Sequence, residues 1–391
     1  MEKRDAVIVS AVRTAIAKQG GALASLAAHE FGAIVLTEAI KRVQCDPNKV
    51  DDIILGNVSG GGGNIARLTA LQAGFPLETT GLTIDRQCGS GINSVLLAAQ
   101  AIRAGDGDIY IAGGTESLSL APYLMDRPTK AYAATLPQFR AAQLSPKDIG
   151  DPPMGITAEK LAETYAITRE EQDEFALRSQ KRMAKAIKEG YFTEQIVPIT
   201  IPTRKSAPLV FEKDEHPRPE TTIEGLAKLP PVFKQNGTVS AGNSSGLNDG
   251  AAALLVMSRE KAQQCGLKPL AVVREATVSG VDPNIMGIGP VPAVRKLLAK
   301  SGKTLDEIDV IECNEAFAAQ TLAVNRDLSI PADKLNVNGG AIAHGHPLGA
   351  TGAILMVKTI YELCRRDAKF GLITACIGGG QGIAVLIEHE S

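Results

Sequence analysis

The stretch that decides the fold covers residues 82–114 and reads LTIDRQCGSGINSVLLAAQAIRAGDGDIYIAGG. Its two ends, LTI and DIYIA, are short runs rich in Ile, which is typical of strands. Between them apolar residues recur at helical spacing over 91–104, where Arg103 is the only charged residue. A helix that is apolar on nearly all faces has to be buried. The stretch therefore predicts strand, buried helix and strand of an α/β fold.

Outward from this stretch, the C-terminal third repeats the same plan. Strands are also predicted at 6–12 and 52–55, and the later counterparts are strands at 309–313, 370–377 and 382–387 with helices at 315–327 and 349–366. DDIILGN ends at Asn57 and IDVIECN ends at Asn314, while Cys88 and His346 each precede a glycine-rich turn into an apolar helix. We therefore expect two related halves that face each other, with the chemistry at their seam.

The segment 119–245 interrupts this rhythm. It is rich in proline and contains one clear surface helix, predicted over 169–189, which a capping box of Thr168 and Glu171 begins and Gly190 ends. Long insertions in a compact protein commonly form lids or binding surfaces. We predict a first half made of 1–118 and 246–268, an inserted loop domain at 119–245, and a second half at 269–391.

Composition excludes several classes of protein. The 391 residues contain 41 Lys and Arg against 43 Asp and Glu, a net charge of -2, which argues against nucleic-acid binding. No run reaches the about 18 apolar residues that a membrane-spanning helix needs, and charges occupy the first residues, so we expect neither a membrane span nor a signal peptide. Six cysteines without a CxxC motif fit reduced thiols. These features predict a cytoplasmic protein.

Cys88 lies in RQCGSG, between a predicted strand and the buried helix. At a helix N-terminus a thiol faces unpaired N–H groups and the positive end of the helix dipole, which is expected to lower its pKa and favour a thiolate nucleophile. A structural cysteine in a tight turn would give the same pattern. Position alone leaves both interpretations open.

Two histidines occur in NGGAIAHGHPLG, residues 338–349, directly before a predicted helix. A nucleophilic Cys88 needs a base, and a loop histidine such as His344 or His346 is suited to that role. Taken singly, either histidine is more commonly an ordinary hydrogen-bonded loop residue.

Further polar groups follow two strands of the second half. Cys376 runs into the glycines 378–380, whose N–H groups could stabilise an oxyanion while the thiol serves as an acid or base. Asn314 and Glu315 are expected to begin a helix directly after a strand, where Asn is also a common N-cap. The alternative interpretation of Cys376 and the glycines is a tight bend between two strands, and that of Asn314 is a helix cap.

Zinc is a further possibility for Cys88, Cys313, His344, His346 and Cys376, which are residue types that bind it. No pair among them has the C-x2-4-C or H-x3-5-H spacing of a zinc site. We therefore expect no metal.

Taken together, these motifs resemble the thiolase family. The resemblance rests on four blocks in order, CGSG at 88–91, NEAFA at 314–318, GHP at 345–347 and CIGGGQG at 376–382. It continues over nearly the whole chain in VIVSAVRT at 7–14, GGTES at 113–117, MGITAE at 154–159, AGNSSGLNDGAAA at 241–253 and NVNGGAIAHGHPLGATG at 336–352. It implies the thiolase fold, a layered sandwich of two similar α/β halves with an inserted loop domain.

The resemblance also implies a chemistry for each block. Cys88 would take an acyl group from acyl-CoA as a thioester, His346 would activate Cys88, and Cys376 would remove the α-proton of a second acetyl-CoA. A water bound to Asn314, together with His346, would stabilise the negative charge of the enolate. The N–H groups of Cys88 and Gly378 would stabilise the oxyanion of the tetrahedral intermediate. CoA and acetyl-CoA would then be substrates, with no permanently bound cofactor.

By the same resemblance, CoA would lie on the inserted segment. The matching positions for pantetheine and adenine are Ser245 and Arg218, and those for apolar pocket walls are Met154, Phe233, Met286 and Phe317. Pro152 and Pro153 precede Met154 where the short-chain members commonly have an aromatic residue and a histidine. The shape of the acyl pocket is therefore left open.

Several activities are compatible with such a chain. CGSG favours condensation of two acetyl-CoA, or its reverse, over degradation of longer 3-ketoacyl-CoA. A β-ketoacyl carrier-protein synthase would carry a second histidine in place of Cys376, and a non-catalytic lipid carrier would not need the four intact residues Cys88, His346, Cys376 and Asn314. Strand edges such as 109–112 suggest a homodimer or homotetramer.

Overall fold

The computed structural model describes residues 4–60, 62–128, 130, 132, 136–203 and 207–390. In these ranges the strands are β1 Ala6–Thr14, β2 Ala17–Lys18, β3 Asp52–Gly56, β4 Thr80–Ile84, β5 Ile109–Ser117, β6 Leu124–Met125, β7 Phe139–Arg140, β8 Ile196–Val197, β9 Ile199–Ile201, β10 Leu209–Phe211, β11 Asn248–Ser258, β12 Ala271–Gly280, β13 Val310–Cys313, β14 Phe370–Ile377 and β15 Gln381–Glu388. The α-helices are α1 Ala28–Lys41, α2 Ile65–Gln72, α3 Ser90–Ala104, α4 Met154–Thr164, α5 Arg169–Lys188, α6 Ile223–Ala227, α7 Arg259–Gln264, α8 Pro290–Ser301, α9 Ala318–Leu328, α10 Ala341–His344 and α11 Leu348–Arg366.

The main sheet consists of two similar halves. Its strand order is β13-β14-β15-β12-β1-β11-β5-β3-β4, with β2 beside β11 and β8 beside β1. In the first half β3 runs parallel to β5, which is antiparallel to β11; in the second, β13 runs parallel to β14, which is antiparallel to β15. The halves join where Val7 and Ile8 of β1 pair with residues 272 and 271 of β12. The repeat predicted from the sequence is therefore confirmed.

Helices α3 and α11 form the central layer, between the two halves of the sheet. Their apolar side chains share one buried cluster with strands of both halves. The helices approach closely because Gly91 and Gly352 have no side chain; a Cβ on either would overlap with the backbone of the opposite helix. Since Cys88 and His346 immediately precede these two helices, the close approach brings their side chains together. Helices α1 and α2 cover the outer face of the first half, and α8 and α9 that of the second.

The helix predicted over 315–327 begins later, at Ala318. Residues 314–317 are tied to other segments: the N–H of Asn314 donates to the carbonyl of Thr374 at 2.9 Å, and the carbonyl of Ala316 accepts from Ser245 at 3.0 Å. These long-range bonds replace the first helical turn. The expectation that Asn314 and Glu315 begin a helix was therefore wrong.

The inserted segment contains the predicted surface helix as α5, which ends one residue earlier than expected. Thr168 begins it, accepting from the N–H of Glu171 at 3.2 Å and donating its own N–H to the Glu171 carboxylate at 2.7 Å. The strand predicted at 108–112 is not an edge, because β5 lies between β11 and β3; the edge of this half is β4. In the described part of the chain, no helix is both long and apolar enough to cross a membrane.

Candidate active site

Cys88 and His346 meet at the facing N-termini of α3 and α11. The Sγ atom of Cys88 lies 3.3 Å from Nε2 of His346, within hydrogen-bonding distance for sulfur. Cys88 as a whole residue is partly exposed, but its sulfur lies below the surface, and the imidazole of His346 is buried. Nucleophile and base of a covalent catalyst need this arrangement.

The turn that carries Cys88 has a left-handed residue directly before the thiol. Gln87 has a φ of +46°, an uncommon value for a residue other than glycine. The carboxylate of Asp85 accepts from the N–H of Gln87 at 2.9 Å, and the N–H of Gly89 donates to Arg86 at 3.0 Å. Strain of this kind is often held at functional sites. Here it presents the sulfur at the end of the buried helix.

Thr351 determines which nitrogen of His346 carries the proton. Its hydroxyl donates to the carbonyl of Pro347 at 3.0 Å, so its oxygen accepts from Nδ1 of His346 at 2.7 Å. With the proton on Nδ1, the lone pair of Nε2 faces the thiol of Cys88. The neutral imidazole is therefore in the tautomer that can remove the thiol proton.

The predicted lowering of the Cys88 pKa was wrong. Burial raises the pKa of this thiol to about 11, although the N–H groups of Gly378 and of Cys88 itself donate to the sulfur and act in the opposite direction. Burial also lowers the pKa of His346 to about 4. Loss of solvation outweighs the N–H groups at the helix N-terminus because the pair is enclosed. At neutral pH the pair is a thiol and a neutral imidazole, so the thiolate has to form as the proton passes to His346.

Cys376 lies near the end of β14, beside this pair. It is fully buried, and burial raises its pKa well above the ordinary value, with the nearby Cys88 and Cys313 acting in the same direction. Its thiolate, once formed, is therefore strongly basic. The N–H of Gly378, two residues on, points at the Cys88 sulfur. The turn thus brings a second thiol and an oxyanion donor to the same place.

Asn314 contacts the same imidazole, with Nδ2 3.4 Å from Nε2 of His346. Its Oδ1 is buried and has no hydrogen-bond partner among the described residues, so it can accept from a bound water. Glu315 points away from the site and accepts from Ser179 at 2.7 Å. His344 is buried, its Nδ1 contacts the carbonyl of Gly345 at 2.8 Å, and among the described residues no hydrogen bond joins it to Cys88 or Cys376.

The residues predicted to bind CoA fall into two groups. Arg218, Ser245 and Phe233 line one cleft of about 460 Å³ on the inserted segment. The deeper group packs in one apolar cluster with Cys376: Met154, Met286 and Phe317. The rings of Phe233 and Phe317 join the groups edge to face, with centroids 6.0 Å apart. The residues of the cleft and the cluster around Cys376 are therefore in contact through these two aromatic side chains.

Across the described ranges, no three His, Cys, Asp or Glu side chains come together in a way that could hold a metal ion.

Comparison with known proteins agrees with this geometry. The family description "Thiolase, N-terminal domain" matches residues 6–260, and "Thiolase, C-terminal domain" matches residues 267–389. The chain belongs to the thiolase family. Among relatives of this thiolase is the "Acetyl-CoA acetyltransferase" of Pseudomonas aeruginosa, 48% identical over 99% of this chain and 100% of the relative.

Solved thiolase structures are also similar over the full length. The acetyl-CoA acetyltransferase of Bacillus anthracis superposes with a TM-score of 0.95 at 47% identity, covering 99% of each chain. Human mitochondrial 3-ketoacyl-CoA thiolase in complex with CoA gives a TM-score of 0.93 at 41% identity, covering 99% of this chain and 98% of that one. The thiolase fold expected from the sequence is confirmed.

Two residues of this thiolase site were missed by sequence reasoning. Thr351 follows His346 by five residues, on the first turn of α11, and that spacing was the only local signal of its contact. Asn248 accepts from the main-chain N–H of His346 at 2.9 Å. It lies in the block at 241–253, but 98 residues separate it from the histidine, so no local pattern indicates the contact.

Proposed function

We propose that this thiolase is an acetyl-CoA C-acetyltransferase, which condenses two acetyl-CoA to acetoacetyl-CoA and CoA or catalyses the reverse thiolysis. The observation that carries the proposal is the 3.3 Å contact between Cys88 and a His346 whose tautomer leaves Nε2 unprotonated and facing the thiol. Full-length relatives and a solved structure named acetyl-CoA acetyltransferase support the choice of acyl group.

In the first half-reaction Cys88 attacks the thioester carbonyl while its proton passes to His346. The carbonyl oxygen becomes an oxyanion, and in this proposal it is stabilised by the N–H groups of Cys88 and Gly378, which donate to the Cys88 sulfur before the substrate binds. The carbon–sulfur bond to CoA then breaks, and the CoA sulfur takes a proton from Cys376. The products are acetyl-Cys88, free CoA, a protonated His346 and a Cys376 thiolate.

In the second half-reaction the Cys376 thiolate removes the α-proton of a second acetyl-CoA. Protonated His346, with a water on Oδ1 of Asn314, stabilises the enolate oxygen. The carbanion attacks acetyl-Cys88, and the new carbon–carbon bond forms as the bond to the Cys88 sulfur breaks. His346 returns its proton to Cys88, so every residue regains its starting state.

Arg218, Ser245 and Phe233 form the proposed CoA-binding surface. All three line the cleft on the inserted segment, and the main chain of Arg218 is anchored by the side-chain oxygen of Gln180 at 2.8 Å. The guanidinium suits the phosphates or adenine of CoA, and the aromatic ring suits the pantetheine chain. CoA and acetyl-CoA are substrates in this proposal, with no resident cofactor.

The surroundings of Cys376 support a short acyl group. Met154, Met286 and Phe317 pack in one apolar cluster with Cys376, and in this proposal that cluster closes the acyl pocket. Degradation of longer 3-ketoacyl-CoA is the alternative, since the human thiolase is also similar in structure.

Thiolysis across a series of 3-ketoacyl-CoA lengths tests the acyl preference. We expect kcat/KM for acetoacetyl-CoA to exceed that for the six-carbon substrate by about tenfold or more, since an added methylene has to displace packed side chains. An equal or higher kcat/KM for six- to ten-carbon substrates would overturn acetyl specificity in favour of the degradative activity. Absence of thiolysis at every length would instead favour a non-catalytic carrier.

We also propose that the chain forms a homodimer or homotetramer. Large apolar side chains are exposed around the edge strand β4 and on the β6–β7 hairpin, namely Leu68, Leu71, Leu77, Leu82, Tyr123, Met125 and Phe139. Patches of this kind commonly mark subunit contacts. Light scattering at micromolar concentration should give at least twice the 41.0 kDa chain mass; a stable monomer would contradict the proposal.

The proposed three-part division keeps the predicted boundaries, with 246–268 assigned to the first half. The pairing of β11 with both β1 and β5 supports that assignment. A cytoplasmic location is proposed on the chemistry of the cysteines, since all six are free thiols and reducing compartments maintain that state.

A further inference from the structure

His346 depends for its main-chain position on a residue of the other half. Its N–H donates to Oδ1 of Asn248 at 2.9 Å, and the adjacent Leu247 forms an isolated β-bridge with His346. Asn248 is the first residue of β11 and is fully buried. The catalytic loop is thus attached to a strand that belongs to the rigid sheet.

The orientation of the Asn248 amide is itself fixed. Its Nδ2 donates to the carbonyl of Ala17 at 2.9 Å, on the short strand β2 that pairs with β11. Because Nδ2 is used there, Oδ1 faces the N–H of His346. The same Nδ2 lies 3.5 Å from Nδ1 of His216, which lines the proposed CoA cleft.

Packing restricts the loop from the opposite direction. Gly345 has a φ of +100° and lies against the Asn248 side chain so closely that a Cβ there would overlap with it. The loop cannot move toward β11 because of this contact, and the hydrogen bond from His346 opposes movement away. Asn248 therefore limits the main chain of His346 in both directions.

The limited movement of the His346 main chain also limits the position of its imidazole. Thr351 orients the ring through Nδ1, but the starting point of the ring is set by the main chain of His346. A displacement of about 1 Å at a reacting group can cost about 100-fold in rate. The 3.3 Å contact between Cys88 and His346 would lengthen with any movement of the loop away from α3.

We propose that Asn248 is the positioning residue of His346: its side chain holds the histidine main chain so that Nε2 stays within reach of the Cys88 thiol. Asn248 touches neither substrate nor the reacting atoms in this assignment. The inference rests on the proposed function, in which His346 activates Cys88.

The first test replaces Asn248 by alanine. We expect kcat for thiolysis to fall by about 10- to 100-fold, with the KM for CoA changed by less than about threefold because the transition state loses more than ground-state binding. Alkylation of Cys88 by iodoacetamide at pH 7 should slow by a similar factor. A merely structural role would loosen the site and leave alkylation unchanged or faster, and that result would overturn the proposal.

The second test uses Asn248→Asp, which decides the matter if the alanine variant does not fold. When protonated, the introduced carboxyl can donate to Ala17 and accept from His346 as the amide does, whereas the ionised form loses the donor. The kcat of this variant relative to wild type should therefore recover as the pH is lowered. A ratio independent of pH, with kcat at the wild-type value, would contradict the assignment.

The matched control is Asn243→Ala. Asn243 is also fully buried and has three side-chain hydrogen bonds, accepting from Ser240 and donating to Asp173 and Thr238. Among the described residues, none of these bonds reaches the His346 loop. The substitution should lower the melting temperature while leaving kcat and Cys88 alkylation within about threefold. If kcat fell equally in the control, general destabilisation would explain the effect of the Asn248 substitution, and the proposal would be overturned. If His346→Gln alkylated at the wild-type rate, the role of His346 itself would fail, which is a distinguishable outcome.

Discussion

Replacing Cys376 by serine should leave an enzyme that is still acetylated by acetyl-CoA but condenses two acetyl groups about two to four orders of magnitude more slowly, the usual effect of a positioned acid or base. Burial raises the pKa of Cys376 well above its ordinary value, so its thiolate is a strong base for the α-proton. A serine hydroxyl has nearly the same shape but is a far weaker acid, so it does not give its proton to the leaving CoA and no anionic base forms to remove the α-proton. The turn and the N–H of Gly378 should survive the change.

Acetylation should persist, more slowly, because the CoA thiolate can leave without a proton donor. The two half-reactions are separated by measuring the covalent mass increase on Cys88 and the formation of acetoacetyl-CoA in the same sample. Condensation near the wild-type rate would assign the base to another group. Complete loss of acetylation in a folded variant would make Cys376 a structural residue of the turn.

Cys313→Ser is the matched control for this variant. Cys313 is a buried thiol near Cys376, and burial raises its pKa to about 12. It has no part in the proposed mechanism, so its condensation rate should stay within a few-fold of wild type. A loss as large as that of Cys376→Ser would mean that any hydroxyl in this region disrupts the site.

Replacing His346 by glutamine should slow alkylation of Cys88 by iodoacetamide at pH 7 by about 10²- to 10⁴-fold, because the thiol then lacks its base. Burial raises the pKa of Cys88 to about 11, so almost none of the thiol ionises at neutral pH without help. In the variant the rate should rise about tenfold per pH unit up to the region of that pKa, since the thiolate is the reactive form.

The alkylation experiment contains its own control in the exposed Cys265, which should react at the same rate in both proteins. Peptide mapping separates the two cysteines. Equal rates at Cys88 in wild type and His346→Gln would show that the histidine does not activate the thiol, whatever their distance in the structure.

Local patterns were sufficient to predict most of the central elements. The strand β14 has the predicted bounds, and α3 and α11 each begin one residue before the prediction. These segments are buried in the core, so their side chains are apolar and the spacing of those side chains indicates the secondary structure. The start of α9 could not be predicted, because the hydrogen bonds of Asn314 with Thr374 and of Ala316 with Ser245 join residues 314–317 to distant segments, and these residues are not helical.

The candidate site also has a part that the sequence indicates and a part that only the structure shows. The motifs indicated Cys88, His346 and Cys376, and the structure brings them together. The sign of the Cys88 pKa shift was missed because a sequence displays the helix N-terminus but not the depth of burial. Asn248 was missed because its hydrogen bond with His346 joins positions 98 residues apart, in different halves of the chain, which no local pattern indicates.

The central claim is that Cys88 carries the acyl group, and the most direct test is the mass of the enzyme after incubation with acetyl-CoA alone. Rapid acid quenching followed by intact-mass and peptide analysis should find one added acetyl group per chain, on the peptide that contains Cys88, and none on the Cys88→Ala protein. The label should disappear when CoA is added, as acetyl-CoA forms again. An acetyl group on another cysteine, or condensation by Cys88→Ala at a substantial rate, would contradict the account.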